Sequence, residues 1–500
     1  MEAQGAVTMF QRFIAWLKGV WGRVFGFDSV ASSLGGDVLV SSKMQQAIDK
    51  WWRMFENRPP WVSEEDIPTI SLPSAIAGEI ARLVTVEAES SLTGSPRADY
   101  LNGPWQEMMG DLRRQVEFAS VGGHLVFKPY VDDGGLTLDY VKAGRFIPTA
   151  YTSRGEINGG VFVERVHRGR VWYTRLEKHE MAGDGYHIVN EAYASSQEEQ
   201  LGREIPLTQV PEWSKLTPVL TIKYNTGDGG EALLEHPLFA VFNMPMANTI
   251  DPDSPLGPSI YSRATGPIEQ ADRQYGRTLW EYEGGELAVD ASAGALRPDG
   301  KGKTDATGRP VLEMPHGRER LFRELNLDKG DGGDLYQVFS PALRDASLFN
   351  GLDKLLKRIE FNCYLSYGTL SDPQSVEKTA EEIKMSKQRS YSAVCDIQNA
   401  LENTLRRVAW IMDIYASVYG LAPAGAVTPA FAWGDAVTVD MDKEREQMRQ
   451  DCRDGAAQWW EYRMRFYGET EEVAKQKVAA GQEDKSDDDW MGFGSGKGGQ

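Results

Sequence analysis

The side chains able to do chemistry are scattered along these 500 residues rather than gathered into a signature. The tail segment Gly492-Phe493-Gly494-Ser495-Gly496-Lys497 imitates a phosphate-binding loop. Met491 stands where that motif needs its first glycine, and Gly498 where a magnesium-holding Ser or Thr belongs. Asp251 and Asp253 begin like a calcium loop, yet Pro255 takes the third ligand position. The six histidines (124, 167, 179, 187, 236, 316) form no H-E-x-x-H pair. His167, His179 and His187 share one run of strands and can converge on a metal, although ordinary strand histidines are the commoner case. No G-x-S-x-G nucleophile elbow exists. Trp51-Trp52 with Trp61, and Trp459-Trp460, fit either sugar stacking or core and interface anchoring, which is tryptophan's more frequent use. The expectation is no catalytic residue, no metal and no cofactor.

The elements around these residues are those of an ordinary folded chain. It is 41% hydrophobic, 10% aromatic and 25% charged, which excludes a disordered or collagenous protein. At 55.7 kDa it exceeds what one core usually holds, so two to four domains are expected. No apolar run is long enough to span a membrane. Cys363, Cys395 and Cys452 lie far apart, so no disulfide framework or C-x-x-C zinc pair is available, and a reducing compartment is the simplest reading. The net charge of −19 is the wrong sign for a protein that grips nucleic acid by neutralising phosphates.

Residues 9–25 have the period of an amphipathic helix with Arg12, Lys18 and Arg23 interspersed, and lack the features of a signal peptide. Such a helix docks on protein, or else lies at a membrane surface. Helices are predicted at 41–55, 73–86 and 104–120. The period then changes from 3.6 to 2, giving one antiparallel meander of strands at 124–130, 136–141, 161–167, 170–178 and 186–192, with a further strand at 218–224. Ser254-Pro255 signals a helix start, Gly266-Pro267 a break, and a second helix follows to 283. Residues 286–335 are read as a small α/β insert, and 341–367 as a helix with Leu348, Leu352, Leu355, Ile359 and Cys363 on one face. A polar break at 368–373 precedes a helix predicted over 376–419, with Val394, Ile397, Leu401, Leu405, Val408, Met412, Tyr415 and Tyr419 at spacings of three and four. A rod of that length must lean on a partner or on a second layer. Helices at 441–466 and 470–480 follow, and the last eighteen residues are read as a disordered tail.

The order helix, small insert, returning helix, polar loop, very long helix resembles the portal (head-to-tail connector) proteins of tailed double-stranded-DNA bacteriophages, the siphophage type above all. The text agrees at Ser254-Pro255-Leu256-Gly257-Pro258-Ser259-Ile260-Tyr261 leading into Ile268-Glu269-Gln270-Ala271-Asp272, at Tyr364-Leu365-Ser366-Tyr367-Gly368, at Lys378-Thr379-Ala380-Glu381-Glu382-Ile383, and from Asp440 through Tyr467-Gly468-Glu469-Thr470-Glu471-Glu472.

The resemblance implies an α+β, mainly helical subunit of the portal fold, assembling into a ring, normally of twelve, with a central channel. It assigns 1–255 to a wing, 256–285 and 341–367 to stem helices, 286–340 to a clip, 368–377 to a tunnel loop, 378–425 to the long wing helix, 426–482 to a crown and 483–500 to the tail. The implied role is non-enzymatic. The ring is assembled in the host cytoplasm, stands at one capsid vertex of the virion, and conducts double-stranded DNA during packaging and ejection. Its implied partners are further copies of itself, the terminase large subunit, major capsid and scaffolding proteins, and head-completion, adaptor and tail proteins, with no membrane. Gly368, Thr369, Leu370, Ser371, Asp372, Pro373, Gln374 and Ser375 become the loop facing DNA. Lys378 and Lys384 become candidates for transient phosphate contact, or for pairing with Glu381 and Glu382 on a solvated helix face. An acidic wall suits a conduit, because it lets a polyanion slide where a basic wall would hold it. Two other classes stay open: an acidic, aromatic-rich hydrolase, and a membrane-surface scaffold led by residues 9–25.

Overall fold

Ser41 opens the first helix. Its hydroxyl accepts the Met44 N–H at 3.2 Å, and α1 (Ser42–Phe55) then buries Met44, Ile48, Trp51 and Met54 along one face. A computed structural model of the chain describes residues 40–62, 67–132, 135–198, 200–225, 231–285, 288–292, 322–325, 336–339, 342–372, 380–434, 441–467 and 470–479. The amphipathic segment 9–25 and the tail 483–500 lie outside the described residues. α2 (Leu72–Thr85) has Pro73 in its first turn, where proline's missing N–H costs nothing, and buries Ile76, Ile80 and Val84. β1 (Glu89–Thr93) follows. The helix predicted from 104 begins earlier, as α3 (Pro96–Gly122), capped by Ser95. Pro104 reads as a start but lies inside the helix; burial of Leu101, Trp105, Met108, Leu112 and Val116 outweighs one lost backbone bond.

The strands that read as one meander divide between two sheets. β2 (His124–Asp132) pairs with β3 (Gly135–Lys142) on one side and with β12 (Ala240–Asn243) on the other, all antiparallel. The second sheet holds β4 (Phe146–Tyr151), β5 (Ile157–Arg168), β6 (Val171–Ala182), β7 (Gly185–Ser195) and β8 (Arg203–Ile205) in that order, with β9 (Val219–Ile222) also on β7. A short hairpin, β10 (Tyr224–Asn225) with β11 (Glu231–Ala232), completes the region.

No helix starts at Ser254-Pro255; that expectation is corrected. Pro258 forces its predecessor into an extended conformation, and Gly257 is pressed against the Gly123 carbonyl and the Met244 backbone. A short 3-10 turn at Ser262–Ala264 leads into α4 (Thr265–Gly284), which has Pro267 in its first turn rather than at a break. Among the described residues of the insert, β13 (Ala288–Ser292) lies between β14 (Phe322–Leu325), parallel to it, and β15 (Tyr336–Phe339), antiparallel. α5 (Asp345–Asn362) returns antiparallel to α4: Asn362 donates to the Arg263 carbonyl, Gln274 to the Leu348 carbonyl, and Arg344 to Glu281. The Arg344 guanidinium and N–H hold Glu281 down to about 2, and so tie the two helices where the insert leaves them.

The long helix is α6 (Ala380–Val418), 39 residues and roughly 58 Å at ~1.5 Å per residue. Its stripe from Val394 through Tyr415 is buried in the main core with α2, α3, β2 and β12, while Tyr419 is exposed. A second layer of the same chain therefore covers this stripe. Gln398 donates to the Val84 carbonyl at 3.2 Å. Arg97, buried at the start of α3, bonds Asp413 and the carbonyls of Ala422 and Pro423, which fixes the end of α6. β16 (Thr428–Ala432) then pairs antiparallel with β1.

The described residues beyond 434, namely 441–467 and 470–479, belong to a separate compact unit. The helix predicted over 441–466 is two: α7 (Met441–Arg453) and α8 (Trp459–Tyr467), parted at Gly455, whose φ of 75° ends a helix. Arg449 donates to the buried Tyr462 hydroxyl at 3.0 Å, and α9 spans 471–479.

At the joint between α3 and β2, Gly123 has φ 85°, and a Cβ there would meet the Gly257 oxygen at 2.2 Å. The next residue, His124, is fully buried, and neither ring nitrogen has a hydrogen-bond partner. Burial lowers its pKa to about 3. The unfolded chain therefore takes up a proton below about pH 6.5 that the folded chain refuses, so stability is lost as pH falls from there towards 3. His124→Leu is expected to remove about 2 kcal/mol of the destabilisation between pH 7.5 and pH 5. Paired chemical denaturation curves at the two pH values check this.

Candidate functional site

The polar loop leaves α5 at its C-terminal end, where a carboxylate is ordinarily disfavoured by the helix dipole. Glu360 stands in that last turn and is wholly buried. Its Oε1 accepts the N–H groups of Gly368 at 3.1 Å, Leu370 at 2.6 Å and Ser371 at 2.9 Å; its Oε2 accepts the Ser371 hydroxyl at 2.9 Å. About two turns earlier on the same face, Asp353 accepts the Asp372 N–H at 3.0 Å while pairing with Lys357 at 2.6 Å. The loop is therefore folded back onto the helix it leaves.

α6 holds it from the other side. Ser386, buried, accepts the Tyr367 N–H at 2.9 Å. Arg389 donates to the Leu365 carbonyl at 3.2 Å, and its guanidinium lies 4.5 Å from the Phe361 ring centroid and 5.3 Å from that of Tyr367. Tyr364, in the left-handed region at φ 60°, lends its hydroxyl to Arg263 at 2.9 Å. Tyr364, Met385, Gln388, Arg389, Ser392 and Asp396 line a shallow groove of about 390 Å³ beside the loop.

Of the residues expected to face DNA, Gly368 takes φ 89° and supplies its N–H to Glu360. Thr369 is exposed and donates to the Ser366 carbonyl at 2.7 Å. Leu370 is half-buried against the core, Ser371 is buried, and Asp372 is exposed. Pro373, Gln374, Ser375 and Lys378 lie outside the described residues, and Lys384 falls within α6. Glu360, Ser386 and Arg389 were not legible in the sequence because their partners lie in or beside the loop, outside the three- and four-residue spacing of a helix. A glutamate in a helix's last turn was the signal that could have found the first.

The histidine trio does not converge. His167 stacks on Trp172 with centroids 4.1 Å apart, His187 bonds Asp184 at 2.8 Å, and His179 is buried between the Tyr186 hydroxyl and Glu177, each at 2.8 Å. Among the described residues no group of three or more His, Cys, Asp or Glu is placed to hold a metal ion. Trp51 is buried in the core, and Trp61 donates to Asp272 at 2.8 Å.

A polar cleft of about 490 Å³ lies over β2, β3 and β6, lined by Lys128, Asp139, Glu164, Arg175, Glu177 and Tyr419 among others. Lys128 spans both oxygens of Glu177, at 3.0 and 2.9 Å, and Arg175 reaches it at 3.0 Å. Burial alone would raise Glu177, but Lys128, the His179 hydrogen bond and Arg175 together hold it well below the usual carboxylate range. Burial pushes His179 below its ordinary value, against the pull of Glu177 beside it. These charges satisfy one another, so the cleft reads as a structural network.

No family model and no curated protein sequence matches the chain. Among solved structures, it is similar to a chain from the neck of an empty gene transfer agent particle computed with C6 symmetry, at 11% identity and a TM-score of 0.41, covering 83% of this chain and 92% of that one. It is also similar to a chain of the virion of a native gene transfer agent particle, at 12% identity, TM-score 0.39, and coverage of 83% and 92%. A chain from the neck of the native particle computed with C12 symmetry matches at 13% identity, TM-score 0.36, and coverage of 82% and 94%.

Arg389 ties the loop's first residues to α6 through one carbonyl and two rings. Arg389→Met, which keeps the stem and removes the cation, is expected to destabilise by about 1–2 kcal/mol. Hydrogen exchange checks it: amides between 364 and 371 should exchange faster while those of 397–412 do not change.

Proposed function

We propose that this chain is the subunit of a portal-type ring, a non-enzymatic head-to-tail connector through which double-stranded DNA passes during packaging and ejection. The observation that carries the reading is the helix pair α4–α5. It frames a small strand insert, leads through the Glu360-held loop into the 39-residue α6, and keeps a row of large apolar side chains in solvent. Trp280 is 68% exposed, and Leu279, Tyr282, Leu343 and Phe349, at the same end of the pair, are exposed as well. A patch of that kind marks an association surface. Further copies of the chain cover it in this reading, with the insert as the face that meets the packaging motor and the loop as the channel constriction. The charge of −19 per copy supports passage rather than grip, because a wall of like charge does not hold phosphate. Siphophage-type assembly, a twelve-fold ring, and docking of terminase, capsid, adaptor and tail proteins belong to the same proposal.

Light scattering of the purified chain tests it. Rings many times the 55.7 kDa subunit mass are expected, with an annulus in end-on electron micrographs. Trp280→Glu with Phe349→Glu should yield subunits that fold within about 0.5 kcal/mol of the parent but do not close. A 55.7 kDa monomer under every assembly condition would sink the reading.

A further inference from the structure

The turn at the head of the loop is built as an anion receptor, and an anion already fills it. With Gly368 in the left-handed region, the N–H groups of 368, 370 and 371 point to one place, as they do in backbone nests that take up phosphate or carboxylate. The Ser371 hydroxyl adds a fourth donor. All four end on Glu360, whose side chain has no exposure to water. The bond from Leu370, at 2.6 Å, is short for an N–H donor, as charge-assisted bonds are. Asp353 repeats the arrangement with the backbone N–H of the next residue, Asp372. The backbone N–H groups of 368, 370, 371 and 372 are thus all committed to carboxylates of α5.

We propose that Glu360 is a built-in anion that occupies, and thereby closes, a phosphate-competent nest at the head of this loop. It holds the turn's shape and withholds its backbone donors from any passing phosphate. The purpose rests on the conduit reading, but the chemistry does not. A vacant nest of four convergent donors would bind a phosphate oxygen as readily as a carboxylate, and the turn, released from the buried Glu360, could open to present those donors to a passing duplex. Glu360 is a positioning residue in this scheme. It acts on DNA only through what it keeps the loop from offering.

Chemical rescue of the full-length chain tests this. Glu360→Ala vacates the nest, and its lost thermal stability is expected to return, saturably, on adding acetate or inorganic phosphate but not chloride. The parent chain should respond to the three salts alike. Retention of a short duplex by Glu360→Ala should rise on the order of tenfold, the worth of one charged hydrogen-bonding site. Glu360→Asp, which withdraws the carboxylate without deleting it, serves if the alanine variant does not fold. Its amides at 368–371 should exchange faster in chloride and slow again in phosphate. Instability that is indifferent to the anion, in whichever variant folds, overturns the proposal. Saturable rescue with unchanged duplex retention upholds the nest and counts against the conduit reading instead.

Discussion

The rest of the larger unit depends on burying one side of a 39-residue helix. A stripe from Val394 to Tyr415 cannot be left in water; at ~25 cal/mol per Å² each such side chain contributes on the order of 2 kcal/mol when covered. The cover comes from elements far away in sequence, namely α2, α3, and the sheet of β12, β2 and β3. Polar anchors then fix the helix along its length: Gln398 to Val84, Glu402 to Trp433 at 2.7 Å, and Asp413 to Arg97. With α6 set, Ser386 and Arg389 hold the loop head against it.

The loop joins two rigid bodies, α5 and α6, and its own turn is an electrostatic object. A buried carboxylate is tolerated in a protein only where hydrogen bonds replace its water. Here the replacement comes from the backbone of the very segment being shaped. Loop shape and charge burial are thus one requirement, and neither can be relaxed alone.

Much of this was legible in the residues. The 3.6-residue period gave α1, α2 and the Val394–Tyr415 stripe within a residue or two, because each buries one continuous face, whereas the helix read at 341–367 is shorter at both ends, as α5 (Asp345–Asn362). The long hairpin strands were visible for the same reason in period 2. The failures have physical causes. Pro104 inside α3 and Ser254-Pro255 outside any helix show tertiary contacts overriding local signals. Short strands such as β1, β12 and β16 have no pattern of their own, since their partners lie far along the chain, Glu89 opposite Ala432 in the extreme case. The division of the meander into two sheets depends on β12 arriving to complete the first. The site was half legible: composition marked a polar loop between two helices, but nothing local said that its donors are already taken.

The pairing of β1 with β16 bears on biogenesis. Residues 89–93 cannot find their mate until residues 428–432 have been synthesised, so the newborn polypeptide carries an open strand edge through most of its translation. Such a late clasp makes closure of the larger unit slow and all-or-none, since contacts of very long sequence separation form last. A ribosome-bound fragment that ends before residue 428 therefore lacks this clasp, and the larger unit closes only once β16 has been made.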